Sequence, residues 1–400
     1  MNTYIIDAIR TPIGNFGGTL KDIRTDDLAA IPIRELVSRN KIDPTKINDV
    51  ILGCANQAGE DNRNIARMAL LLAGIPFSVP GETVNRLCAS GMSAIINAHR
   101  AIKAGDGDLF ISGGIENMTR GPWVISKVSK AFGRDAQMHD SSFGWRFINP
   151  KMKEIYGVDG MGTTAENLAE LYDISREDQD KFAFNSQQKA YKAQKSGRFS
   201  EEIIPISIPQ KKNDPILFEH DEFIKGNTSI EILSKLRTAF KKDGGTVTAG
   251  NASGLNDGAA AMLLASENGV TENNLNPIAK IVSSAVIGVE PRIMGIGPVE
   301  ASNLALKKAG LKLNDIDIIE LNEAFSAQAL ACIRSWGIND DDPRINPNGG
   351  AIALGHPLGV SGTRIMQTAA IELHKQNKKY ALVTMCIGVG QGYATIIEKV

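Results

Sequence analysis

The sequence predicts an α/β protein in which one structural unit is used twice, with a long excursion leaving the first copy. Three observations carry this. First, "KINDVILGC" (46–54) is echoed by "LNDIDIIELNEAF" (313–325), and each lies between helix-like segments at comparable distances. Second, "DLFISGG" (108–114) and "YALVTMCIGVG" (380–390) are both apolar strands that run into glycines. Third, residues 120–250, between the two copies, are polar and irregular. Strands alternating with helical patterns imply parallel or mixed sheets covered by helices, and the same order twice implies duplication.

In the first copy, "DLAAIPIRELVSRN" and "NIARMALLLAG" are helical and flank the strand that ends at Cys54. "GETVNRL" then reads as a strand and "SGMSAIINAHRAIKAG" as a helix, with Ile95, His99 and Ile102 at i, i+4 and i+7. In the second copy, "PVEASNLALKKAG" and "AFSAQALACIRSW" are the helices, and "YATIIEKV" closes the chain as a strand. The excursion holds one clear helix, 175–197, opened by Ser175 with Asp178 three residues on and closed by Gly197. Such a segment suits a lid or a small ligand-binding subdomain.

Composition limits the function. Forty-four basic against 45 acidic residues give a net charge of -1, which argues against a general nucleic-acid binder. "MNTYIIDAIRTP" carries Asp7 and Arg10 and lacks a secretory apolar core, and no apolar run reaches the ~18 residues of a membrane span, so a cytoplasmic protein is expected. The cysteines Cys54, Cys88, Cys332 and Cys386 are scattered without a CxxC pair, so neither a zinc site nor a disulfide framework is expected. Cys54, after a strand, and Cys332, within a helix, read as packing residues.

Cys88 is different. It stands at a strand-to-helix junction, followed only by small residues. Unpaired N–H groups at a helix N-terminus favour a thiolate, so its pKa is expected below the ordinary ~8.5. Taken alone, the stretch also fits an inert buried cysteine. A nucleophilic thiol needs a base, and His356 in "NPNGGAIALGHPLGVSGTR" (346–364), a loop crowded with glycines, is the best placed of the five histidines. Cys386 precedes glycines at 388, 390 and 392, where backbone can pass close to a ligand and offer N–H groups. A strand follows these glycines, so they are not a dinucleotide fingerprint. Asn322 and Glu323 end the repeated strand, where α/β sheets collect ligand groups. "TVTAGNASGLNDGAAA" (246–261) offers Asn251, Ser253 and Asn256, as a tight connection or as a floor for an extended ligand.

Together, "VNRLCASG", "LNEAF", "NPNGGAIALGHPLGVSG", "ALVTMCIGVGQG" and "GNASGLNDGAA" resemble the signature blocks of the thiolases, which cleave or form 3-ketoacyl-CoA thioesters. The likeness spans essentially the whole chain. It implies a thiolase fold: duplicated βαβαβ halves in a five-layer α-β-α-β-α core, with an inserted loop domain. The halves would be 1–119 plus 255–275 and 276–400, and the insert, 120–254, would bind CoA and make oligomer contacts. By the same resemblance Cys88 is the nucleophile, His356 helps activate it, and Cys386 is the acid/base thiol. Asn322 would hold a water that joins His356 in one oxyanion hole, and the N–H groups of Cys88 and Gly388 would form the other. Ser253, Ala249, Lys225, Phe240, Met161, Met294 and Phe325 would bind CoA. CoA is then a co-substrate, with no metal and no permanently bound cofactor, and the partners are acyl-CoA, CoA and other copies of the chain, as a tetramer or a dimer.

"EDNRNIARMALLLAGIP", "FGWRFINPKM" and "YGVDGMG" are similar to the branch acting on 3-oxoadipyl-CoA. Acetoacetyl-CoA thiolases, the alternative, show Tyr-His-Met-Gly where this chain has Asp159, Gly160, Met161 and Gly162. A non-catalytic acyl-CoA carrier is the more distant alternative. A substrate with a distal carboxylate wants a cation, and Arg146 and Lys151 are the candidates.

Overall fold

The computed structural model describes residues 1–400. Its main sheet runs in the order Gly81–Val84, Asp49–Gly53, Leu109–Asn117, Asn256–Ala265, Tyr4–Arg10, Ala279–Gly288, Gln391–Lys399, Tyr380–Ile387, Ile318–Leu321. The short strand Gly14–Asn15 pairs beside Asn256–Ala265. Two register pairs, Tyr4 with Lys280 and Ile5 with Ala279, join the N-terminal and C-terminal strands.

The duplication is visible element by element. Asp49–Gly53 lies parallel to both its neighbours, as Ile318–Leu321 does to Tyr380–Ile387. The place of Gly81–Val84 is taken in the second half by a single parallel bridge, Ile319 to Ile345.

Three apolar clusters define the layers. One lies between the N-terminal strands and the helices Thr25–Arg39 and Ile65–Leu72. Another lies between the C-terminal strands and the helices Gly297–Ala309 and Ser326–Ser335, joined by Ala165, Leu168 and Phe182 of the insert. The third is central, where Ser90–Ala104 and Leu358–Lys375 are held between both sets of strands. Helix, sheet, helix, sheet, helix gives five layers. Leu358–Lys375 is buried over most of its length, and Ser90–Ala104 over its first two turns, with Arg100 and Lys103 exposed toward its far end.

Local chemistry sets the boundaries. Ser175 accepts the Asp178 N–H and caps Arg176–Lys195, with Gly197 left-handed beyond its end. Two expectations change. "GETVNRL" is strand only as far as Val84, because Asn85 Oδ1 accepts the Leu87 N–H and the Arg86 N–H donates to Ser90 Oγ, turning the chain. Residues 346–364 are not one loop. Ala351–Leu354 and the start of Leu358–Lys375 are helical, broken only at 355–357. Their glycines allow central-layer helices to touch backbone to backbone, a tertiary demand that local propensity does not display. A Cβ at Gly91 would lie 2.5 Å from Gly359 O.

A buried ionic network ties the insert to this core. Arg10 Nε donates to Glu202 at 3.1 Å and its two Nη groups to Asp221 at 2.7 and 2.9 Å, with all three side chains fully buried. Arg198 pairs with Glu202 at 2.8 Å and also with Glu372 of the long central helix. Removing one partner leaves charges stranded in low dielectric. Arg10→Met is therefore expected to cost about 3–5 kcal/mol of stability, seen as a lowered urea midpoint at pH 7.

Candidate active site

Cys88 sits in a single 3-10 turn, Leu87–Ala89, between the Gly81–Val84 strand and the Ser90–Ala104 helix. The elbow is sharp, with Leu87 at φ +46, a region a branched side chain rarely adopts. The thiol is 9% exposed, and the backbone N–H groups of Gly388 and of Cys88 itself face it. The expected lowering of its pKa is not found. Burial pushes it up to about 11, against those two N–H groups, and the nearby charge of Glu116 adds to the rise. No cation offsets this. Arg86 is spent on Ser93 and Gln391 and lies over the Tyr393 ring. The resting thiol is therefore neutral, and a base must take its proton.

His356 lies in the break between Ala351–Leu354 and Leu358–Lys375. Its N–H donates to Asn256 Oδ1 at 3.0 Å. Ser361 Oγ lies 2.6 Å from His356 Nδ1 and 3.0 Å from Pro357 O, and with its hydroxyl donated to Pro357 O it accepts from Nδ1. In that arrangement the proton sits on Nδ1, and the Nε2 lone pair faces the Asn322 amide. Burial, helped by Arg364, lowers the imidazole pKa to about 4, so the ring is neutral at pH 7.

Asn322 follows the Ile318–Leu321 strand, where its N–H donates to Thr384 O at 3.0 Å. Its Nδ2 approaches His356 Nε2 at 3.5 Å, and its buried Oδ1 has no protein partner. Glu323 holds this corner, accepting from Ser186 Oγ at 2.6 Å, Asn346 Nδ2 at 2.7 Å and Ile352 N at 3.3 Å.

Cys386 is fully buried near the end of Tyr380–Ile387. Burial holds its pKa far above the ordinary thiol value, and the next contributions are Cys88 and then Cys332, so the two candidate sulfurs are electrostatic neighbours. A Cβ on Gly388 would stand 3.3 Å from Leu87 Cδ1 and 3.6 Å from Met161 Sδ, so glycine keeps this approach open. Val389 follows at φ +64, a second left-handed branched residue beside the thiols. Cys54 and Cys332 lie in the outer apolar clusters.

The insert supplies a ledge beside this centre. Phe240 packs against Gly162, next to Met161, and meets the Phe325 ring edge-on at 6.2 Å. Ala252 bridges Phe325, and the Ser253 N–H donates to Ala324 O at 3.0 Å. Phe223 packs on Gly254, and Lys225 Nζ lies 5.0 Å over the Phe223 ring. Ala249 is exposed, three residues before Ala252. Met294, 2% exposed, is packed into the C-terminal core instead of this ledge.

Sequence reasoning missed Ser361, although it lies inside the His356 block, and Glu116. The Glu116 carboxylate accepts the N–H groups of Ala55 and Asn56 at 3.0 Å and of Gly359 at 2.9 Å, and burial raises its pKa to about 7. It fastens the turn after His356 to the N-terminal half. The signal was a lone acid in the apolar run "LFISGGIEN".

A thiol, a neutral imidazole, a second thiol and converging N–H groups at the seam of two α/β halves suit acyl transfer without a redox step. Comparison with known families agrees. The family described as "Thiolase, N-terminal domain" matches residues 3–268, and "Thiolase, C-terminal domain" matches 275–399. The chain belongs to the thiolase family. Among curated relatives, this thiolase is 58% identical over 398 residues to the 3-oxoadipyl-CoA/3-oxo-5,6-dehydrosuberyl-CoA thiolase of Escherichia coli (strain K12), covering 99% of each chain. It is 56% identical over 400 residues to a beta-ketoadipyl-CoA thiolase of Acinetobacter baylyi, covering all of both chains. Among solved structures, human mitochondrial 3-ketoacyl-CoA thiolase superposes with a TM-score of 0.92 at 42% identity, over 100% of this chain and 98% of that one. No helix of this thiolase is long and apolar enough to cross a membrane.

Proposed function

We propose that this thiolase cleaves 3-oxoadipyl-CoA with CoA, giving succinyl-CoA and acetyl-CoA. The observation that carries the substrate is the 58% identity, over nearly the full length of both chains, to a relative named for that thioester. His356 Nε2 takes the Cys88 proton, and the thiolate attacks C3 of the substrate. The C2–C3 bond breaks, and its electron pair passes to the CoA-bearing fragment as an enolate. Cys386 protonates that carbon, releasing acetyl-CoA and leaving a succinyl thioester on Cys88. CoA then enters, gives its thiol proton to Cys386 and attacks the thioester. Cys88 leaves and recovers its proton from His356.

Two negative charges need stabilising, on the enolate oxygen and on the tetrahedral intermediates. The Cys88 and Gly388 N–H groups suit the tetrahedral oxygen, since both already face the sulfur. Protonated His356, with a water on Asn322, suits the enolate oxygen, and the unpaired Asn322 Oδ1 supports a water there. Each donor is worth roughly 3–4 kcal/mol in such a site. The ledge from Lys225 and Ser253 through Phe325 and Phe240 to Met161 suits the CoA moiety, with Lys225 as a point charge for a phosphate. Exposed Trp123, Ile125 and Phe132 on the insert support self-association of copies, as a tetramer or a dimer.

The test is a turnover panel of 3-oxoadipyl-CoA and acetoacetyl-CoA, with mass spectrometry of the trapped acyl-enzyme. A 3-oxoadipyl preference and a succinyl adduct on Cys88 are expected. An adduct on another residue would sink the assignment, and an acetoacetyl preference would favour the alternative.

A further inference from the structure

From the cleft beside Gly388 we infer that Arg292 reads the distal carboxylate of the acyl group and so sets the preference for a dicarboxylic substrate. The inference rests on the substrate reading above. After cleavage, the piece left on Cys88 is a four-carbon chain whose carboxylate lies only three bonds from the acyl carbon. A cation that recognises it must stand close to the thiol.

Such a place exists. Met161 and Val389 both flank Gly388, whose N–H faces Cys88. The same two residues line a narrow cleft of about 10 Å³, room for a water, that continues between Trp145, Tyr156, Asp159 and Arg292. Arg292 is the only cationic side chain on its wall. The guanidinium is oriented from one side: Nε donates to Asp159 Oδ2 at 3.0 Å, and neither Nη group makes a protein hydrogen bond. A fork held at its base with two free N–H groups matches the geometry a carboxylate accepts in bidentate fashion.

Asp159 is fixed in turn. Its Oδ2 accepts Asn167 Nδ2 at 3.1 Å, and its backbone oxygen accepts Trp145 Nε1 at 3.2 Å. Asn167 Nδ2 also donates to the Arg292 backbone oxygen at 2.9 Å. With Asp159 paired, the cleft has no net charge until substrate enters, and an incoming carboxylate meets the free Nη side. The cations suggested by sequence stand elsewhere. Arg146 donates to Ser141 O at 3.2 Å, leaving Trp145 as that stretch's contribution to the wall, and Lys151 is exposed on the Pro150–Tyr156 helix.

The experiment compares kcat/KM for 3-oxoadipyl-CoA and for 3-oxohexanoyl-CoA, which has the same chain length and a methyl group in place of the carboxylate. In the unaltered enzyme the acidic substrate is expected to be preferred. Arg292→Leu should lower that preference roughly 10- to 100-fold, the range of a charge-assisted hydrogen bond, and Arg292→Lys should restore part of it. Arg292→Glu should turn the preference toward the neutral substrate. A preference that survives Arg292→Leu, or equal losses on both substrates, overturns the inference and leaves Arg292 as a partner of Asp159 alone. If the unaltered enzyme does not prefer the acidic substrate, the substrate reading itself fails, before any variant is made.

Discussion

His356→Ala is expected to lower kcat/KM for thiolysis by roughly 10³- to 10⁵-fold, combining the loss of a general base with the loss of an oxyanion donor. The shape of the pH profile should change as well. In the unaltered enzyme the competent state has a neutral imidazole and a neutral thiol. Folded-state pKa values of about 4 for His356 and about 11 for Cys88 keep that state dominant between those limits. By themselves these two groups leave the profile level from about pH 5.5 to 9.5. Without the imidazole, the thiolate must form by loss of a proton to solvent. Its population rises tenfold per unit as pH climbs toward about 11, so the residual rate of the variant should rise with it. A variant profile that stayed level would mean that the thiol ionises without His356.

The second large effect separates the two sulfurs. Cys386→Ala should slow cleavage of 3-oxoadipyl-CoA by roughly 10²- to 10⁴-fold, the usual worth of a positioned acid or base. It should slow the exchange of label between succinyl-CoA and free CoA far less. That exchange passes through the Cys88 thioester and forms no carbanion, so Cys386 serves there only to take the proton of the CoA thiol, which water can also remove, and the deficit should shrink as pH rises. Losses that stay equal in both assays as pH rises would make Cys386 a packing residue whose removal disturbs Cys88.

How much of this was legible depends on what each feature rests on. The Arg176–Lys195 helix was readable because Ser175, Asp178 and Gly197 are local signals. The junction at Cys88 was readable because strand and helix periodicities meet there. The sign of the Cys88 pKa was not, since a helix start can be seen in a sequence while burial among the central-layer side chains cannot. The left-handed backbone at Leu87 and Val389 was hidden for a similar reason. Neither residue type favours that conformation, which the surrounding structure imposes. Arg292 went unread although Met294 lies two residues on, because it reaches the cleft only through the fold.

Cys88 stands two residues before the Ser90–Ala104 helix, and His356 two residues before Leu358–Lys375, its sibling in the central layer. Both copies thus carry one proposed catalytic side chain in the same slot before a central helix. Two identical copies would offer twin thiols or twin imidazoles, and neither pair joins a nucleophile to its base. Carrying both copies in one chain lifts that constraint, because each slot can then hold a different residue. The chemistry depends on the two siblings having become unlike.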